Sequence, residues 1–244
     1  MVLLPFRTVL PQTENGLVLY LTGNAGAGRV MHDCSPMGNN GRIYGATWTD
    51  GKFGKALSFD GVDDYVDCGN DESLQMTDEV TLMAWIKTTY DGGAHTVVAR
   101  NYGFMINAPF GSNIEFYGHD GSDATKCTPS WLSEYDDKWI FVAAVIRKYT
   151  GSWTIRGFVN GVKVCESTNS AFDGPGQLGK VTIGSLLGTP RFFNGTIDEV
   201  RIYNRALSEE EIRAHFKGAV IKLKAGLSAP VRIRGAMILR KPVR

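Results

Sequence analysis

Apolar and polar residues alternate along most of this chain with a period of two. Residues 79–88, EVTLMAWIKT, show it most clearly. Val80, Leu82, Ala84 and Ile86 share one face and Trp85 takes the other, as successive side chains of a strand must. Further strands are predicted at residues 17–21, 95–100, 103–107, 113–118, 139–148, 152–159 and 180–184. Asn160-Gly161 separates the 152–159 run from 162–165 and predicts a tight hairpin, because both residues accept positive φ. Leu57 and Phe59 alternate in KALSFD, Asp60-Gly61 marks a turn, and Tyr65-Val66 is expected to pair back as a second hairpin.

Near the end, Asn194-Gly195 predicts a turn and residues 196–203 a strand. Counting by twos puts Asp198 on the face of Val200 and Ile202, where a carboxylate needs a partner. Ser208 and Glu211 form a capping box, Glu209 and Glu210 suit the positive end of a helix, and Ile212 and Phe216 give it an apolar stripe. About a dozen short strands and one terminal helix predict an all-β sandwich. The polar stretch 119–137 is its largest expected loop. Residues 1–15, broken by Pro5 and Pro11, read as an arm. In 217–244 apolar residues alternate with basic ones at 219–223 and 231–239, which predicts two more strands rather than a disordered tail.

Several ordered motifs carry a family resemblance: GLVLYL at 16–21, HDCSPMGNNG at 32–41, GKALSFDG at 54–61, Trp139 followed by FVNG at 158–161, and GTIDEVRIYNRALSEEEI at 195–212. Residues 16–216 thus resemble the laminin-G-like, concanavalin-A-like lectin-glucanase domains. The resemblance implies a two-sheet antiparallel jelly-roll β-sandwich used for binding, often of glycans. It also implies one structural calcium where an early Asp-turn meets the Asp of the IDEV strand, with Asp33, Asn39 and Asp198 as ligands beside backbone oxygens. Satisfaction of Asp198 by backbone N–H groups or Arg201 stays open as the alternative. The pentraxin pattern of ligand-bridging calcium needs acids before the closing strand, and residues 185–190, SLLGTP, have none.

At 244 residues the chain is long enough for one large sandwich. Its net charge of +1 hides an asymmetry: residues 217–244 carry eight basic side chains and no acid, which leaves 1–216 near −7. These bases are dispersed among strand formers, so pairing with an acidic body, its own or a neighbour's, is expected over nucleic-acid binding. The four cysteines, at 34, 68, 127 and 165, form no CxxC, which argues against a zinc or redox motif. Three disulfide pairings remain open, and Cys34, Cys68 and Cys165, beside strands, are read as buried free thiols. No apolar run approaches the ~20 residues of a membrane span. Pro5 and Arg7 interrupt the only stretch that could serve as a signal h-region. Gly23 to Gly28 lacks the Lys-Ser/Thr of a phosphate loop and reads as a turn.

Catalysis is not expected. Glu134 and Asp136 are followed by Asp-Lys-Trp, and adjacent Asp198 and Glu199 are expected on opposite faces, so neither gives the paired carboxylates of glycoside hydrolysis. Glycan contact needs exposed aromatic rings beside hydrogen-bonding groups. Trp131 and Tyr135, with Asp120 and Asp136, are the best candidates, with edge-capping by Trp131 as the alternative. Two functions follow. One is a lectin-like module for glycans or a cell-surface polysaccharide. The other is a structural or decoration subunit of a virion or fibre, contacting neighbouring subunits through 1–15 and 217–244. Either places the chain extracellularly or on a virion surface.

Overall fold

The computed structural model describes residues 15–101, 103–119, 124–149, 151–171, 179–186 and 189–218. The expected arm and basic extension, with the strands expected at 219–223 and 231–239, therefore lie outside the described residues, apart from Asn15, Lys217 and Gly218.

Among the described residues there are sixteen strands and one α-helix. The first eight strands are β1 (Leu17–Leu21), β2 (Val30–Met31), β3 (Gly41–Tyr44), β4 (Thr47–Asp50), β5 (Lys55–Asp60), β6 (Tyr65–Asp67), β7 (Val80–Thr88) and β8 (Ala94–Arg100). Next come β9 (Phe104–Phe110), β10 (Asn113–His119), β11 (Ala124–Cys127) and β12 (Lys138–Tyr149). The last are β13 (Ser152–Val159), β14 (Val162–Asn169), β15 (Val181–Ile183) and β16 (Asn194–Tyr203), followed by helix α1 (Glu209–Phe216). They build two antiparallel sheets. Sheet A has the order β14-β13-β12-β7-β16-β5-β4, with β1 paired to the second half of β16. Sheet B has the order β11-β10-β9-β8-β15-β6-β3-β2. This is the expected two-sheet jelly-roll sandwich.

The pleat explains what lies between the sheets. On β7, Val80, Leu82, Ala84 and Ile86 enter the main core with Ile106, Phe116, Val142 and Ile146. Met83 and Trp85 point the other way, into a second apolar layer with Phe141, Phe158 and Ile212 of α1. A fully buried side chain of this size contributes roughly 1.5–3 kcal/mol, so both faces of β7 matter. Helix α1 covers the outer face of sheet A because its stripe is apolar: Ile212 is fully buried, and the Phe216 ring stacks on Trp85 with centroids 5.6 Å apart. The predicted capping box forms, with Ser208 Oγ accepting from Glu211 N and the Glu211 carboxylate accepting from Ser208 N. Asn160 and Gly161 take φ of +50° and +75° in the predicted hairpin.

Five local expectations are corrected. Strands β5 and β6 are not a hairpin: β5 pairs with β4 and β16 in sheet A, and β6 with β3 and β15 in sheet B. Residues 61–64 are an arch between sheets, held by Asp60 N donating to Asp64 Oδ2 and Val62 N donating to Asp60 Oδ1. Asn194-Gly195 is strand, paired with Asp60 and Phe59, and glycine is needed because a Cβ at 195 would lie 2.3 Å from Lys87 O. The 119–137 stretch contains β11, paired with β10. Cys165 is not a free thiol: it is bonded to Cys127, while Cys34 is free but exposed and Cys68 is free and buried.

The fifth correction concerns Asp198. The β16–β7 register shifts between Asp198 and Arg201, and Glu199 at the shift has a φ of +54°. This is a β-bulge, which inserts an unpaired residue and breaks the count by two. Ile197 and Val200 both face the main core as a result. Asp198 is opposite Trp85, on the outer face of sheet A, not on the face of Val200 and Ile202.

Candidate functional site

A cleft lies at the β3–β6 end of sheet B. Ile43 and Val66 pair across these strands and point into the core. By alternation, Arg42, Tyr44, Tyr65 and Asp67 point outward. Tyr44 is directly opposite Tyr65, and their rings stack with centroids 4.6 Å apart and planes at 9°. The two half-buried rings form a face-to-face stack, which leaves the outer side of the pair as the aromatic surface of the site. The Arg42 guanidinium stands 5.2 Å from the Tyr44 centroid. Gly28 and Arg29 form another wall, tied down by Ile43 N donating to Arg29 O and Trp48 Nε1 donating to Gly28 O. Asp63, from the arch, and Phe192 complete a cleft of ≈ 630 Å³. Arg29, Arg42 and Asp63 are exposed. Neither arginine forms an ion pair with a carboxylate among the described residues. Asp67, the nearest acid along the strand, is taken by Lys180 at 2.6 Å. Tyr44 and Tyr65 help to hold that lysine's pKa above its ordinary value, after the larger effect of Asp67 itself.

Sequence reasoning did not find this cleft. Its residues come from four separate segments, and no short motif contains them. The one signal is the outward row Arg42, Tyr44 on β3, facing an outward tyrosine at the start of β6.

The sequence-predicted glycan residues are placed elsewhere. Trp131, Tyr135 and Asp136 come together near the β9–β10 end of sheet B, with the Trp131 and Tyr135 rings edge to face at 5.6 Å. Both rings are partly buried and pack on the main core. Asp136 Oδ1 accepts from Trp131 Nε1 and from Tyr90 N, each at 2.9 Å. These donors hold the Asp136 carboxyl below its ordinary pKa. Asp120 lies outside the described residues. The cluster's indole N–H and one carboxylate oxygen are engaged inside it. Trp131→Ala is therefore expected to lower stability by about 2 kcal/mol, half the usual cost of emptying a full aromatic core site, while leaving saccharide affinity unchanged. Thermal melts beside a binding titration check this; the reverse pattern would assign the cluster to the ligand.

The three expected calcium ligands do not converge on one ion. Asp33 and Asn39 do meet, but the Asp33 carboxylate accepts four donors: Tyr20 N and Ser35 N at Oδ1, and Ser35 Oγ and Asn39 N at Oδ2. Those contacts use the lone pairs a cation would need. Asn39 Nδ2 is turned to Val18 O and Ser73 Oγ. Asp198 instead takes its donor from Phe53 N at 2.9 Å, and its Oδ1 is buried without a hydrogen-bond partner among the described residues. This set does not fit one shared calcium. Asp60, Asp63 and Asp64 also bring carboxylate oxygens within 4.8 Å. Two of them are occupied by the arch's backbone, and burial raises the Asp64 pKa.

The bulge places the Asp198 and Glu199 carboxylates on the same side, not on opposite faces as expected. Glu199 Oε2 accepts from Tyr20 OH at 2.7 Å and Arg201 Nη2 at 2.6 Å, on the outer side of sheet A. Both acids are buried, however, Asp198 completely. Burial, opposed by the Phe53 N–H and reinforced by Glu199, pushes the Asp198 pKa up to about 6. Each acid is already engaged, Glu199 by Tyr20 and Arg201 and Asp198 by the Phe53 N–H. Two of the described histidines are likewise engaged within the fold. His95 is held by Asp91 and Phe192 O, and burial lowers the His215 pKa to about 4 beside Tyr203.

The fold has solved counterparts. The chain is similar to the binding domain of Paraclostridial Mosquitocidal Protein 1, with a TM-score of 0.70 and 17% identity, over 85% of this chain and 53% of that one. It is also similar to the botulinum neurotoxin serotype D binding domain, with a TM-score of 0.66 and 15% identity, over 86% of this chain and 53% of that one. A third similar structure is the binding domain of botulinum neurotoxin DC, solved in complex with SialylT, with a TM-score of 0.60 and 14% identity, over 85% and 52%. The chain thus spans about half the length of these structures, and at such identities the likeness is one of fold. No curated protein matches the sequence. Residues 60–213, well over half of the chain, match the Concanavalin A-like lectin/glucanases superfamily, and the chain belongs to that family.

Proposed function

We propose that this chain is a non-catalytic, lectin-like module that binds saccharides at the Tyr44–Tyr65 cleft. The observation that carries this reading is the exposed side of a parallel tyrosine pair lining an open cleft with polar and charged walls. Sugar rings present C–H faces that lie on such platforms, while their hydroxyls need charged or amide partners at the edge. The buried Asp198–Glu199 pair supports binding without hydrolysis. The structural neighbours are named as binding domains, one of them solved with SialylT, and this too supports the reading. The Cys127–Cys165 bond supports an oxidising, extracellular setting.

Saccharide array binding of the full chain, followed by titration of its best ligand against Tyr65→Ala, tests the proposal. The expected result is a five- to tenfold loss of affinity, the scale of one aromatic contact, with an unchanged far-UV spectrum. Absence of binding to any saccharide, or equal binding by the variant, would overturn it.

A further inference from the structure

We propose that the cleft selects acidic saccharides, sugars bearing a carboxylate or sulfate group, with Arg29 and Arg42 as the anion clamp. The inference deepens the saccharide reading above and rests on it. Its ground is a charge mismatch. Residues 1–216 carry a net charge near −7. Several basic side chains elsewhere on this acidic body find carboxylates, Lys55 with Asp50, Lys87 with Asp137, Arg156 with Glu166, and Arg205 with Glu211, while others such as Lys52 and Arg191 rest on aromatic rings. Arg29 and Arg42 find none among the described residues, and both line the cleft that holds the tyrosine pair. Lys180 stands on the same face but is paired with Asp67.

Geometry sets what the arginines can do. Arg42 over the Tyr44 ring is oriented by a cation–π contact. That contact steadies the guanidinium without neutralising it or using its N–H donors. A guanidinium so held presents a planar fork that matches a carboxylate or sulfate group with two parallel hydrogen bonds. A neutral sugar has no group that needs two such forks. Asp63, on the arch side of the cleft, supplies an acceptor for hydroxyl donors. It also opposes a continuous row of phosphates, which favours a sugar acid, with one anion and several hydroxyls per ring, over a nucleic-acid strand. Gly45 beside Tyr44 cannot be enlarged: its φ is +72°, and a Cβ there would fall 1.8 Å from Asp64 Oδ1. The strand end that carries the platform is therefore fixed against the arch.

The test titrates the full chain with four probes of matched length: a heparin-type sulfated oligosaccharide, an oligogalacturonate, a neutral malto-oligosaccharide and single-stranded DNA. Wild type is compared with Arg29→Gln/Arg42→Gln and with Arg42→Lys. The expected result is at least tenfold tighter binding of an acidic saccharide than of the neutral one, weakening with salt. The double variant should lose at least tenfold for the acid and nothing for the neutral sugar. Arg42→Lys, which keeps the charge but not the fork, should fall between. Whichever acidic arm binds more tightly identifies the anion as sulfate or carboxylate. Equal affinity for neutral and acidic sugars, an unaffected double variant, or tighter binding of DNA through the same arginines would overturn this inference alone. Failure of every saccharide to bind would overturn both it and the wider reading. Both arginines are exposed, so the variants should melt with wild type.

Discussion

Reduction of the Cys127–Cys165 bond is expected to lower the unfolding free energy by about 4 kcal/mol. The bond closes a loop with a sequence separation of 38, and in the chain-entropy description cross-linking such a loop removes about that much freedom from the unfolded chain. Its position adds to the effect. Cys127 ends β11, the edge of sheet B, and Cys165 lies on β14, the edge of sheet A. The bond therefore staples the two sheets at one open end of the sandwich. Urea titrations of oxidised and reduced wild type, beside Cys127→Ala/Cys165→Ala, measure it. The reduced wild type and the oxidised variant should share one lowered midpoint. A variant as stable as the oxidised protein would show that the bond contributes nothing.

The second large effect is a pH dependence set by Asp198. Its folded pKa of about 6 exceeds the ordinary value of 3.8, so between these values the native state holds more protons than the unfolded one. Stability from this site is then full below the ordinary value and is lost as pH rises through the folded one. A rise of about two units corresponds to roughly 3 kcal/mol. Asp198→Asn keeps an oxygen for the Phe53 N–H and carries no charge. Melts in EDTA should find the variant more stable than wild type at pH 7.5, by a few kcal/mol, with the advantage gone near pH 4. Parallel pH curves for the two proteins would show that the buried carboxylate is not what titrates.

Sequence alone carried the strands but not their partners. Alternation in β7 was enough to sort Leu82 from Trp85, because every residue there is regularly paired with β12. The same counting failed at Asp198, where one residue in a left-handed conformation resets the parity. Asp-Gly signals a change of direction after Phe59, but turn chemistry is local. It does not say whether the next strand joins the same sheet or crosses to the other. Aromatic residues in the polar 119–137 stretch had the composition of a binding loop, and the core nevertheless takes part of each ring. The cleft was illegible for a related reason. It exists only because β3 and β6 pair in register and because the arch swings Asp63 across to them.

The pairing of β1 with β16 has a consequence for how this domain can be carried. Leu17 is opposite Tyr203, and Arg205 Nε donates to Asn15 O, so the entering chain runs beside the last strand. Helix α1 then carries the departing chain over the outer surface of sheet A, as far as Gly218 beside Phe53. Both points of attachment thus belong to one side of the sandwich, and the tyrosine platform belongs to the other sheet's outward surface. The domain has a mounting side and a presenting side. A partner that packs where the chain enters at Asn15 or leaves at Gly218 meets the sandwich on the side away from the tyrosine pair.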